Sequence, residues 1–318
     1  MDNRFFATYA PAKLNLFLEL LGKRGDGYHE LETVMSPVSL CDYISVRPNT
    51  ESGLKLSLLL IGLGKSPHTV PQIPTDERNL AVKAWRAIEL IAKAHSEIDA
   101  GVSIEIHKRI PTEAGLGGAS SNAAAALQLA NVYYNLKLST TQLSEIAARL
   151  GSDVPFFLQG GSGLCRGRGE VVTPLRCGGN LWFVILKPQQ GFSTSEVYRH
   201  AVLAAQAEPV QPMLKAWRSG DVRLIGRSMF NRLQQAAHVL GDWVDRARFE
   251  FSRVQCHGHQ LSGSGSSYFG LFARRIQAMR AAKLLQGRLP QVDCYVCTAL
   301  NRLSNLNSKK RIAASMYG

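Results

Sequence analysis

From Lys13, apolar and polar positions alternate. KLNLFLEL places Leu14, Leu16, Leu18 and Leu20 on one face of a strand, and Lys13, Asn15, Phe17 and Glu19 on the other. Lys13 and Asn15 therefore point the same way. GKRGDGYH follows with a turn signal at Asp26-Gly27, and HELETVMSPVSL and YISVRPN read as further strands, so the chain opens as a β-meander. Past the proline-rich loop SPHTVPQIPTDE, the period lengthens to that of an amphipathic helix in NLAVKAWRAIELIAKAH. SIEIHKRIP is a strand that leads into PTEAGLGGASSNAAAALQLA, where glycines give way to good helix formers with no proline among them. Helices are expected from Ser120 to Tyr134 and from Thr140 to Leu150, the second closed by Gly151 as its cap.

The glycine-rich QGGSGLCRGRGE precedes a new buried strand, LWFVILKP. A boundary there gives an N-terminal domain over residues 1–163, a C-terminal domain over 164–303, and a basic, loosely ordered tail over 304–318. The second half predicts helices from Ser195 to Ala205, Pro212 to Trp217 and Ala278 to Leu285, with strands at QLSGSGSSYFGLF and VDCYVCTAL. That is an α+β pattern.

With 318 residues, 45% of them hydrophobic and 19% charged, the chain describes an ordinary soluble globular protein, more readily two domains than one. Its formal charge of +13 favours an anionic partner, nucleotide or nucleic acid; the basic residues are scattered, which suits a solvated surface better than a nucleic-acid groove. The opening MDNRFFATYA has no apolar run behind a charged start, and LSLLLIGLG is too short to span a bilayer. A cytoplasmic protein without a membrane partner is expected. The six cysteines lack the spacing of a disulfide framework, and neither Cys294-Tyr-Val-Cys297 nor Cys256-His257-Gly258-His259 completes a four-ligand metal set.

The glycine loop carries the strongest chemical signal. A glycine turn that opens a helix presents unpaired N–H groups at the positive end of the dipole, a cradle for phosphate, to which Ser120, Ser121 and Asn122 could add side-chain donors. It is not a Walker A loop, because no lysine follows Gly118 until Lys137. Nor is it a dinucleotide fingerprint: Ser120 stands where the third glycine belongs, and no acid lies at the ribose-binding spacing. Asp153 in GSDVP reads alone as a helix-capping acid, and Lys13 as a surface charge. Taken together, cradle, cation and carboxylate are the three parts that phosphoryl transfer needs.

PAKLNLFLEL, PTEAGLGGASSNA and LSGSGSSYFGLF resemble the three motifs of the GHMP kinases, the superfamily of galactokinase, homoserine kinase and mevalonate kinase. DGYHELET and GSDVPFFL are similar to the branch whose acceptor is a cytidine-diphosphate-linked methylerythritol, and the match runs from about Thr8 to Leu300. The resemblance implies an α+β, two-domain fold: an N-terminal ATP-binding domain like domain 2 of ribosomal protein S5, and a ferredoxin-like C-terminal domain. It implies ATP held by Pro111, Glu113, Ala114, Gly115, Leu116, Gly117, Gly118, Ala119, Ser120, Ser121 and Asn122, with Asp153 as base and Lys13 as its electrostatic partner. On the substrate side it implies Asn15, Tyr28 and His29, with Tyr198 as a second ring for the pyrimidine and Gly263, Ser264 and Gly265 closing the site.

Mg²⁺ is required by the chemistry, with its ligands open among Ser121, Glu113, phosphates and water. Glu113 departs from the family by putting a carboxylate near a phosphate site, and Arg166 and Arg168 are candidates to offset it. Another small-molecule kinase of the superfamily and a basic nucleic-acid-binding protein on a similar scaffold are the alternatives. The sequence leaves monomer and homodimer both open.

Overall fold

The computed structural model describes residues 5–61, 73–94, 101–176 and 179–300; the tail expected over 304–318 lies outside them. In chain order the first half contains β1 (Phe6–Lys23), β2 (His29–Asn49), β3 (Leu54–Leu60), α1 (Leu80–Lys93), β4 (Gly101–Lys108), α2 (Gly118–Tyr133), α3 (Thr140–Leu150), α4 (Val154–Leu158), β5 (Gly163–Gly167) and β6 (Val171–Pro174). The second half follows with β7 (Trp182–Lys187), α5 (Thr194–Arg199), α6 (Gln211–Ser219), α7 (Val222–Arg227), β8 (Phe230–Asn231), α8 (Leu233–Val239), α9 (Trp243–Ser252), β9 (Gly258–Leu261), β10 (Tyr268–Phe272), α10 (Arg275–Arg288) and β11 (Asp293–Thr298).

β1 and β2 form a long antiparallel hairpin that turns at the expected Asp26-Gly27, where Gly27 has φ 84°. They build a sheet in the order β3-β4-β2-β1-β8, and β5 joins the edge of β2 over Leu31 to Met35, with β6 outside it. The first sheet thus runs past residue 163 to Pro174. A boundary placed by glycine content could not register that pairing, which joins residues distant in sequence.

The alternation from Lys13 does not run on as one face. A bulge at Leu16, between the pairs Asn15↔Met35 and Phe17↔Val34, shifts the register, and every residue from Ala10 to Leu20 is buried. Leu14, Leu16 and Phe17 pack with Phe183, Trp217 and Phe269 between the two sheets, whereas Leu18 and Leu20 join the core of the second half around Phe251 and Tyr268. The bulge hands the strand from one core to another.

α1 buries Ala81, Val82, Ala84, Trp85, Ile88 and Ala92 on one stripe and is capped by the Asn79 side chain, which accepts from Ala81 N–H. α2 is buried nearly all round, its alanines letting it lie closely against α1 and β1. α3 starts with a Ser139–Gln142 capping box and ends at Gly151 as expected. Gly151, however, is extended at φ 174°, a conformation open to any residue.

The second sheet is antiparallel in the order β11-β7-β10-β9, the arrangement of a ferredoxin-like β-α-β-β-α-β unit whose first crossover has grown into α5 to α9 with β8. The expected strand QLSGSGSSYFGLF is a hairpin: Ser262 to Ser267 turn between β9 and β10. The helix expected from Ser195 to Ala205 stops at Arg199: residues 202–209 are all exposed, so the apolar Val202 and Leu203 gain no packing that would hold further turns. β8 returns to the first sheet, pairing parallel with β1 at Phe17 and Leu18.

Candidate active site

A cleft of about 1270 Å³ lies between the halves and is lined by β1, the glycine loop, the β1–β2 turn, α5 and the β9–β10 turn. Gly117 holds the N-cap of α2 with φ 68°, so the chain reverses there and sends the first turn of the helix toward the cleft. All of the expected loop residues line the cleft except Ser121, which is buried behind it.

The loop is braced from the second half. Ser267 N–H donates to the Ala114 carbonyl at 3.1 Å, and Ser262 Oγ to that of Gly115 at 3.1 Å. Gly115 sits at φ 70°, and a Cβ on it would stand 2.1 Å from the Ser262 carbonyl oxygen. This contact requires glycine. Of the third motif, Gly263 and Ser264 face the cleft; Gly265 does not, and packs instead against Leu261 and Phe192 because its turn curls back onto the core.

Lys13 is only 5% exposed, yet its Nζ reaches the cleft, where it lies 3.4 Å from Asp153 Oδ2 and donates to Asn15 Oδ1 at 2.6 Å. Asp153 occupies the N-cap position of α4 but makes no capping bond with its side chain. The carboxylate faces Lys13 instead. Asn15, expected beside Lys13, is there; its Nδ2 donates to Thr33 Oγ1 at 2.9 Å.

At the other end, Tyr28, His29 and Tyr198 all line the cleft. His29 and Tyr198 pack ring against ring, with centroids 5.4 Å apart, while Tyr28 lies under the Arg168 guanidinium at 4.9 Å. The two tyrosines therefore have separate neighbours. Burial, reinforced by Lys23, holds the His29 imidazole below its ordinary pKa and so neutral at pH 7; burial, with Asp153 nearby, pushes the Tyr198 phenol up and keeps it protonated.

Glu113 does not intrude on the helix end. At φ 50° it is exposed and lies against Gly191 of the second half, where a Cβ would meet its Oε2 at 3.0 Å. Arg166 and Arg168 do not offset it: Arg166 pairs with Glu32 at 2.7 Å, and Arg168 with Glu170 and Tyr28.

Sequence reasoning missed Lys108, buried at the end of β4, lining the cleft beside Gly118 and paired with the wholly buried Asp42. Asp42 also accepts from the N–H groups of Arg109 and Ile110, at 2.7 and 2.8 Å, and so ties the strand end to the loop. The only signal in the sequence was a lysine one residue before the RIP that opens the loop.

Among the described residues no three His, Cys, Asp or Glu side chains form a metal site, and no helix is long and apolar enough to cross a membrane.

Residues 79–161 match the family described as the GHMP kinases N terminal domain, and residues 213–286 the GHMP kinases C terminal. A 4-diphosphocytidyl-2-C-methyl-D-erythritol kinase of Clostridium perfringens is 34% identical over 92% of this chain and 97% of its own, and one of Syntrophomonas wolfei is 39% identical over 89% and 95%. A crystal structure of 4-(cytidine 5'-diphospho)-2C-methyl-D-erythritol kinase, 32% identical, superimposes with a TM-score of 0.74 over 92% of this chain and 99% of that one. With such identity along nearly the full length of both chains, and with cradle, lysine and aspartate gathered in one cleft, the protein belongs to the 4-diphosphocytidyl-2-C-methyl-D-erythritol kinase family of the GHMP kinases.

Proposed function

We propose that the protein transfers the γ-phosphoryl group of ATP to the C2 hydroxyl of 4-diphosphocytidyl-2-C-methyl-D-erythritol, giving the 2-phosphate and ADP in the methylerythritol phosphate route to isoprenoid precursors. The observation that carries this reading is the Lys13–Asp153 pair at 3.4 Å, set between a helix N-terminus and an aromatic end of the same cleft. The phosphates lie along the loop from Pro111 to Asn122 and the first turn of α2, whose N–H groups have no partner inside the helix. Asp153 accepts the hydroxyl proton as the new O–P bond forms and the bond from the γ-phosphorus to the bridging oxygen of ADP breaks. Lys13 pairs with the Asp153 carboxylate at 3.4 Å and lends positive charge where the transferring group gains negative charge. A tertiary hydroxyl is crowded and weakly acidic, so its placement matters more than the strength of the base.

The cytosine end sits among Tyr28, His29 and Tyr198, with neutral His29 offering one ring N–H and one acceptor nitrogen. Mg²⁺ fits this chain as an ion held mainly by phosphate oxygens and water: of the loop hydroxyls Ser120 borders the cleft and would be the protein oxygen nearest it, whereas Ser121 Oγ is buried behind it. When bound, the ion neutralises charge on the β- and γ-phosphates. The protein acts in the cytoplasm on this small molecule.

The test is ADP release from Mg²⁺-ATP with the cytidylated acceptor, run against mevalonate, homoserine and galactose. Turnover confined to the cytidylated acceptor is expected. Turnover with another alcohol instead would overturn the acceptor and leave the kinase; no turnover with any would overturn both.

A further inference from the structure

We propose that Thr33 is a positioning residue for Lys13, acting by fixing which way round the Asn15 amide sits. The inference rests on the phosphoryl-transfer reading of the site and names a residue that carries no chemistry itself. An asparagine amide has two ends of nearly the same shape and opposite polarity. Only the carbonyl end suits an ammonium; the NH₂ end would set donor against donor. Lys13 Nζ meets Oδ1 at 2.6 Å, and Nδ2 donates to Thr33 Oγ1 at 2.9 Å.

A hydroxyl facing an amide does not by itself choose an end, because it can donate or accept. Thr33 has made the choice. Its one proton goes to the Phe17 carbonyl at 2.6 Å, so only lone pairs remain for Asn15. Phe17 follows directly on the Leu16 bulge, where the register of β1 and β2 shifts. The result is a one-way chain from the ammonium through Asn15 and Thr33 to the backbone of β1. Asn15 and Thr33 are each 2% exposed, which keeps water from replacing a lost link. Gln260 Nε2 adds a bond at 2.8 Å to the Asn15 carbonyl oxygen of the main chain, fixing the residue from the second half. Of the three Lys13 donors, one is thereby committed to Asn15 and one directed toward Asp153, leaving the third for an anion in the cleft.

The experiment compares Thr33→Val, which keeps the shape and removes the hydroxyl, with Thr33→Ser, which keeps the hydroxyl. Thr33→Val is expected to lower kcat roughly tenfold or more, since small misplacements of a charged group are costly at this step. KM for ATP and for the acceptor should stay within about twofold, and Thr33→Ser should recover most of kcat. In parallel, the Asn15 side-chain amide should be protected from hydrogen exchange by NMR in the wild type and Thr33→Ser, and lose that protection in Thr33→Val. An unchanged kcat in Thr33→Val, or equal losses in both variants, would overturn the role of Thr33. Absence of turnover by the wild type would count against the functional reading alone; unchanged amide protection in Thr33→Val would then still overturn the inference.

Discussion

The two ends of the cleft are built on different terms. Where the phosphates would lie, the parts are backbone and buried side chains: Lys13 and Asn15 are sealed in β1, Gly115 is pressed on the Ser262 carbonyl, and Lys108 is tied to Asp42. Where the cytosine would lie, the parts are side chains gathered from separate elements: Tyr28 on the β1–β2 turn, 52% exposed and covered by an arginine, His29 at the start of β2 and Tyr198 in α5. One end is overdetermined by the fold, while the other is completed by what enters it. Errors in the first should therefore strike rate and stability, and errors in the second the affinity for one substrate.

The largest effect should come from Asp153→Asn, which keeps the shape beside Lys13 and removes the base. A fall in kcat of about 10²- to 10⁴-fold is expected, with ATP binding retained by calorimetry. Gly115→Ala should come next: strain at positive φ and the clash with Ser262 together should cost about 3 kcal/mol, read as a drop in Tm. A variant as stable as the wild type would show that the loop bracing is loose. Tyr28→Ala sharpens the contrast from the other end. KM for the cytidylated acceptor should rise roughly tenfold, as the loss of a stacking ring implies, with KM for ATP and Tm unchanged.

The smallest effect is on pH. His29 is held below 6.5 in the folded protein, so it stays neutral at pH 7 and charges only as the pH falls through that lowered value. Acceptor KM should therefore rise at acid pH while ATP KM stays flat. The folded state resists protonation more than the unfolded one, so the contribution of His29 to stability is also present above 6.5 and lost as pH falls below it. A flat acceptor KM down to pH 5 would remove His29 from the recognition end.

Much of this was legible before the fold was known, and the exceptions have physical causes. α1 and α3 were readable because periodicity and caps are local, and α2 because a proline-free run of good helix formers is. β3 overlaps the greasy stretch; it is a strand of half-exposed alternation against β4 whose apolar-polar period is broken by Leu59 in LKLSLLL. β5 exists because β2 offers an edge to it, and β6 because β5 does in turn, which no five-residue window announces. In the site, Lys13, Asp153 and the glycine loop could be read because motif spacing marks them. Lys108 and Asp42, by contrast, are 66 positions apart, and the tie between Thr33 and Asn15 spans 18, so neither pairing could be read from its neighbours. The break in alternation at Leu16 likewise depends on a partner strand; along the chain its one trace is Phe17, an apolar residue on the otherwise polar face.

The short strand β8 sets an order of events in synthesis. It closes the edge of β1, and the residue after it, Arg232, is the guanidinium that meets Glu19, a carboxylate with no exposure, at 2.6 Å. Asn231 beside it donates to the Leu261 and Gly263 carbonyls, each at 2.8 Å. A nascent chain halted before Phe230 would hold an N-terminal sheet with a raw edge and an acid whose counter-charge has not yet been made. The ATP-binding half is therefore not a unit that can be finished first and then decorated; it waits for the ribosome to pass Arg232.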